Sequence, residues 1–253
     1  MKTISFLNVK GGVGKTISAV NFAYILANTY NKRVLLIDLD KQGNSSMTYG
    51  VYDDAEITIS DLLVNKNLDT QTAIYKSEFN VDVIPSNMEL IKANQTILLD
   101  TRTSQQTRLK KHLDTIKSNY DYCIIDCPTD LNMSSLNALT ASDDVLIPIK
   151  IDRYSFVGLS DVIEIVEDMK DFNPNLQIKG AFLTMYQKTN IQKQGFEHLE
   201  NVLKTHNLKL FNTYIRNTTK VMESTFEKPV VAYDKNCTAS LDYFDFVAEY
   251  LNA

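Results

Sequence analysis

The sequence predicts an α/β fold, a mostly parallel, twisted sheet with helices on both faces. Three observations predict it. Short apolar runs recur along the chain and alternate with segments of helical periodicity, and strands that are apolar throughout are buried on both faces. Two of these runs, residues 33–38 and 121–126, end in an aspartate. A glycine-rich loop, residues 9–16, directly follows the first apolar run.

In chain order, residues 4–9 read as the first strand, and 18–29 as a helix with Val20, Ala23, Tyr24 and Ala27 on one face. Further strands are predicted at 33–38, 81–85, 121–126, 145–149 and 178–185, and helices near 108–118, 134–141, 158–170 and 197–205. Sheets of this kind bind ligands at the carboxyl ends of their strands. The loop after strand one, residues 38–44 and residues 126–130 should therefore open on one edge. No internal repeat, low-complexity tract or linker is visible, and a single domain over residues 1–253 is expected.

The bulk properties narrow the class. A chain of 253 residues with 44% hydrophobic content buries a substantial core. No apolar run is long enough to span a bilayer, and no secretory segment leads the chain. The odd set Cys123, Cys127 and Cys237 lacks paired spacing, which predicts reduced thiols in a cytoplasmic protein. Cys123 and Cys127 read as small buried hydrophobes. The net charge of −5 excludes a globally basic nucleic-acid binder, so any DNA contact must come from a local, salt-sensitive patch.

The loop Val9-Lys10-Gly11-Gly12-Val13-Gly14-Lys15-Thr16 carries the chemistry. Its glycines allow close backbone approach, so successive N–H groups can converge on phosphate oxygens. The helix that follows turns its positive end to the same anion. Lys15 would reach the β- and γ-phosphates, and the Thr16 hydroxyl would ligate Mg²⁺. A strict P-loop has glycine at position 9; here that position is valine, with a second lysine, Lys10, beside it.

Two acidic strand tips complete the pattern. Asp126 reads either as the outer-shell acid of Mg²⁺ or as a cap for the next turn. Asp38 and Asp40 share a side if their strand continues, which would aim Asp40 at an attacking water; the alternative is a solvated turn. Gln42, Gly43 and Asn44 form a polar loop suited to sensing a γ-phosphate.

Together these segments resemble the ParA/MinD class of deviant Walker A ATPases, and most closely the small ParA (Soj-like) partitioning proteins. Residues 10–16 are similar to the signature loop, 38–44 to switch I with Lys41 where proline is usual, and 126–129 to the Walker B and switch II segment. Residues 136–143, 158–160, 184–190 and 216–229 continue the likeness. The resemblance implies ATP and Mg²⁺ as cofactors and an ATP-dependent sandwich homodimer. Lys10 would cross to the partner's phosphates. Asp40 would be the hydrolysis residue, Thr16 the Mg²⁺ ligand and Asp126 the Walker B acid, with Asp40 and Asp126 both in the outer shell of the metal. The nucleotide set would be Lys10 to Ile17, Val13 included, with Ile17 offering its backbone N–H. Ile215, Arg216 and Asn217 would lie near adenine, Ile215 standing where proline is usual. It also implies non-specific DNA binding by the dimer, through Lys188 and Lys220 with Lys193, Lys204 and Lys209 as possible additions, and hydrolysis stimulated by a ParB-type partner. The protein would be cytoplasmic and nucleoid-associated.

Three other readings are weaker. A MinD-like membrane ATPase ends in a basic amphipathic helix, whereas residues 238–253 hold no Lys or Arg. There, Leu241, Phe244, Ala248 and Leu251 form a stripe suited to core packing. A metal-cluster carrier would need paired cysteines, and a tyrosine autokinase a tail richer than Tyr243 and Tyr250.

Overall fold

The computed structural model describes residues 1–53, 55–152, 155–225 and 228–253, with only the backbone of 155–157. Positions 226–227, inside the predicted C-terminal family segment, lie outside that set. Seven strands form one sheet: β1 (Lys2–Phe6), β2 (Val34–Asp38), β3 (Tyr75–Lys76), β4 (Val81–Ile84), β5 (Tyr122–Asp126), β6 (Asp144–Ile149) and β7 (Gln177–Leu183). Their spatial order is β3-β4-β2-β5-β1-β6-β7. Every pairing is parallel except β3 with β4. β2 and β6 are buried at every residue, as their continuous apolar runs require.

Alternate residues serve two cores. Leu35, Ile37, Ile125 and Ile147 face one side. That side is covered by α3 (Ile59–Val64), α4 (Leu90–Leu99), α5 (Arg108–Ile116), α6 (Met133–Ala141), α7 (Ser155–Met169) and α8 (Asn190–Thr205). Ile4, Phe6, Leu36, Ile124 and Phe182 face the other. There they meet α1 (Lys15–Asn28), α10 (Val230–Tyr233) and α11 (Thr238–Leu251). Aromatic edges and faces fill this second core: Phe6 packs edge-on to Phe22 at 5.5 Å, and Phe182 stacks on Phe246 at 4.2 Å. α2 (Asn44–Thr48) and α9 (Thr219–Ser224) are short helices beside the carboxyl edge. Cys123 and Cys127 are buried free thiols, as expected.

The structure corrects several boundaries. β1 stops at Phe6 rather than continuing to Val9, because Asn8 turns its amide to the Pro148 carbonyl at 2.8 Å and accepts the Lys10 N–H at 2.9 Å. α1 begins at Lys15, not 18, and is buried almost all round, with Tyr24 less so. α8 begins at Asn190, not 197; the Thr189 side chain accepts the Gln192 N–H and caps it, and Gly195 masks its periodicity. α3, which starts at a Thr58–Asp61 capping box, and α4 are additions to the predicted elements. The apolar stripe expected on α11 is also displaced. Leu241 is 46% exposed, while Ala239, Tyr243, Phe246, Val247 and Tyr250 are buried.

A buried guanidinium ties the first set of helices together. Arg108 Nη1 donates to the Leu63 carbonyl at 2.9 Å, and Nη2 pairs with Asp100 at 2.5 Å and bonds Thr103 at 3.1 Å. The Thr103 hydroxyl, the Arg102 N–H and Arg108 hold the Asp100 carboxyl down to about 2. A depressed acid stabilises the fold above its unfolded value, near 3.8, and loses that contribution as pH falls through about 2. Asp100→Asn should therefore lower the melting temperature at pH 6 and flatten its acid limb between about pH 4 and 2. Parallel melting curves for the two chains across that window would refute the assignment.

Candidate functional site

The register places Phe6, Asp126 and Asp38 side by side across β1, β5 and β2. All three loops therefore open at the carboxyl edge, as expected. Gly14, at φ +86°, occupies the left-handed region and caps α1. No side chain caps this helix, so its first-turn N–H groups are free of a side-chain acceptor and face the loop. The loop is tied from behind where the Thr184 hydroxyl donates to the Val13 carbonyl at 2.8 Å.

Lys15 is 6% exposed, and its Nζ donates to the Lys10 carbonyl at 3.2 Å. Burial pushes its pKa down, and the charges of Asp126, Cys127, Asp40 and Asp130 oppose that shift. Asp126 is fully buried and accepts the Ser45 hydroxyl at 2.6 Å on Oδ2. Its Oδ1 has no hydrogen-bond partner among the described residues. Burial first, then the charge of Asp38, pushes this carboxyl up to about 7, against the pull of Ser45 and Thr16. Asp38 is likewise raised by burial, to about 6. Two buried carboxyls this close favour their protonated forms unless a cation joins them.

Asp38 and Asp40 do not share a face, because the strand ends at Asp38. The Asp38 carboxylate accepts the Asp40 N–H at 3.0 Å, the Ser46 N–H at 2.9 Å and the Ser46 hydroxyl at 2.8 Å. That turn lifts Asp40 to a half-buried position, where its Oδ1 accepts the Gln42 N–H at 3.0 Å. Gly43 follows at φ +67°, where an added Cβ would collide with Tyr52 and lie 2.8 Å from the Ser86 carbonyl. Asp38 is thus a brace for the loop that presents Asp40. Lys41 pairs with Asp130 at 3.0 Å, joining this loop to the one after β5.

Lys10 forms an ion pair with Asp152, beyond the end of β6. Ile17, Ile215, Asn217 and Tyr243 line a cleft of about 310 Å³ that is continuous with Gly14. Ile215 is buried. Arg216 also lines the cleft, and its guanidinium binds Asp242 through Nε and Nη2. Lys188 and Lys193 are exposed. Lys204 pairs with Glu200 at 3.0 Å, Lys209 lies 3.9 Å from Glu249, and Lys220 pairs with Glu223 at 2.7 Å, so these three are partly neutralised.

Four residues of the site carry no role in the sequence reading: Ser45, Ser46, Asp152 and Asp242. Ser45 and Ser46 follow the acidic loop closely and were open to notice as hydroxyls near two carboxylates. Nothing local marks Asp152 or Asp242, which act across 142 and 26 residues.

Comparison with known proteins gives four findings. Residues 1–178 match a family model described as an AAA domain. The chain is 38% identical over 253 residues to the sporulation initiation inhibitor protein Soj of Bacillus subtilis, covering 98% of this chain and 97% of that one. It is 33% identical to the chromosome partitioning protein ParA of Caulobacter vibrioides, covering 100% and 94%. Among solved structures, cobyrinic acid a,c-diamide synthase of Mycobacterium smegmatis with bound ATP analog and magnesium superposes with a TM-score of 0.87 at 25% identity, covering 100% and 94%.

Proposed function

The chain belongs to the ParA/MinD family, and from that membership we propose that it is a partition ATPase whose ATP-bound dimer holds DNA and whose hydrolysis releases it. The observation that carries this reading is the cluster of buried Lys15, half-buried Thr16 and buried Asp126 at the uncapped start of α1, with Asp126 Oδ1 unpartnered among the described residues. Hard oxygen donors beside a phosphate cradle fit Mg²⁺. Thr16 and Asp126 would hold it, directly or through water, and bound metal would supply charge neutralisation for the β- and γ-phosphates.

The chain's own residues do the rest. Backbone N–H groups of residues 11–16 bind the phosphates, and Lys15 neutralises them. Asp40, presented by the Asp38 brace, orients the attacking water. Lys10 exchanges Asp152 for the phosphates of a second subunit's nucleotide, a trans-acting cation of the arginine-finger kind. ATP favours the closed dimer because only there does Lys10 gain that contact. The membrane-bound alternative is weaker, because the apolar face of α11 is used in the core and among the described residues no helix is long and apolar enough to cross a membrane.

The test is ATP turnover by the full chain alone, with DNA, and with DNA plus a ParB-type protein. Slow turnover raised by the pair together is expected; no hydrolysis under any of the three conditions would count against the proposal. The DNA surface has its own check. Lys188→Ala combined with Lys220→Ala should weaken DNA binding and lower its log-salt slope by about one per lost phosphate contact, with ATP binding intact. Most of the loss should come from Lys188, since Lys220 already has Glu223. An unchanged slope removes both lysines from the surface.

A further inference from the structure

The two acidic loops at the carboxyl edge are tied together at their outer end as well as at their base. At the base, the Leu39 N–H donates to the Asp126 carbonyl at 3.0 Å, and the Ser45 hydroxyl to Asp126 Oδ2 at 2.6 Å. At the tip, Lys41 Nζ donates to Asp130 Oδ2 at 3.0 Å. Asp40 lies between Leu39 and Lys41, and its Oδ1 accepts the Gln42 N–H at 3.0 Å. Resting on the ATPase reading above, we propose that Lys41 is a positioning residue for hydrolysis. Its ion pair with Asp130 holds the loop tip whose next N–H orients the Asp40 carboxylate.

The two partners differ in how firmly they are held. Asp130 is a post: its carbonyl accepts the Ser135 hydroxyl at 2.7 Å, in the first turn of α6, which the Asn132 side chain caps. Lys41 is the movable side. Proline, usual at this place in the resembling segment, would fix the backbone by its ring, whereas lysine leaves φ free. A cleft of about 250 Å³ borders the pair and is lined also by Leu39, Leu90, Ile91 and Pro128, so packing does not pin the tip from that side. The tip is therefore held by charge. If it swings, the Gln42 N–H moves with it, and the Asp40 carboxylate loses the local donor that fixes its rotamer.

Exposure decides the size of the effect. The Lys41 and Asp130 side chains are 40% and 58% exposed, and exposed pairs are worth at most about fivefold in an equilibrium. Such a pair is also screened, since the Debye length shrinks from about 10 Å at 0.1 M salt to about 3 Å at 1 M. The contribution should be a few-fold, should fall on the hydrolysis step, and should fade at high salt. ATP binding is spared because Lys41 and Asp130 lie outside both the glycine-rich loop and the cleft beside Gly14.

The test is single-turnover hydrolysis of Mg-ATP by an excess of the full chain, with ATP affinity and ATP-induced dimer size measured alongside. Lys41→Gln and Asp130→Asn should each slow hydrolysis by about threefold to fivefold, with ATP affinity and dimer size unchanged. Lys41→Asp should slow it at least as much. Combining Lys41→Asp with Asp130→Lys should restore the natural rate to within about twofold, which a merely structural defect would not allow. The gap between the natural chain and Lys41→Gln should close between about 0.1 and 1 M salt. The proposal is overturned, and the ATPase reading left intact, by single variants that turn over at the natural rate, by a swapped pair no faster than its single parents, by a gap that persists at high salt, or by ATP affinity or dimer formation falling in step with the rate. A natural chain that hydrolyses no ATP, with or without DNA and a ParB-type protein, overturns both.

Discussion

Lys15→Ala is expected to abolish nucleotide binding while leaving the fold at least as stable. Two charge-assisted contacts to phosphate, at about 1.5–3 kcal/mol each, correspond together to roughly 10²–10⁴ in affinity. The ammonium, by contrast, contributes little to the apo fold. It is buried with the Lys10 carbonyl at 3.2 Å as an acceptor, and burial depresses its pKa. A depressed lysine opposes folding wherever the unfolded chain holds the proton, which is the whole neutral range. Thermal melts with and without Mg-ADP separate the two effects. The natural chain should melt higher as ligand is added, by mass action, and the variant should not. A ligand-dependent shift that survives in Lys15→Ala would sink the assignment of the phosphate site.

Asp40→Ala should do the opposite, keeping ATP binding and ATP-induced dimers and losing turnover by about 10²–10⁴. The expectation rests on where Asp40 sits. It is half-buried, and among the described residues its carboxylate accepts the Gln42 N–H at 3.0 Å. The brace beneath it is Asp38, whose bonds to Ser46 and to the Asp40 backbone survive the substitution. Removing the side chain therefore costs the fold only about 1 kcal/mol. Single-turnover hydrolysis and size measurement in ATP would show a stable, inactive dimer. Normal hydrolysis by the variant removes Asp40 from the chemistry and leaves the loop a solvated turn.

The central sheet was legible because its parallel strands are short and mostly apolar, β2 and β6 being buried at every residue, and that pattern follows from burial on both faces. β3 escaped notice because it has two residues and pairs only at the edge. α3 and α4 were hidden by length and by mixed polarity. On α11 the helix was visible but its orientation was not. Leu241 looks like a core residue and is not, because the core on that side is aromatic and Tyr243, Phe246 and Tyr250 fit it.

The candidate site divides in the same way. Lys10, Lys15, Thr16 and the acids at 38, 40 and 126 could be read directly, because glycine spacing, a lysine after the last glycine and acids at strand ends are local patterns with local causes. The partners of those groups could not. Asp152 meets Lys10, Ser45 meets Asp126, and Asp242 meets Arg216 across gaps of 142, 81 and 26 residues. Local order thus marks the groups proposed to bind phosphate and metal. Packing specifies which charge is already neutralised and, among the described residues, which carboxylate oxygen is left without a donor. The reason is that charge and hydrogen-bond satisfaction depend on distance in space, and only the folded chain sets those distances.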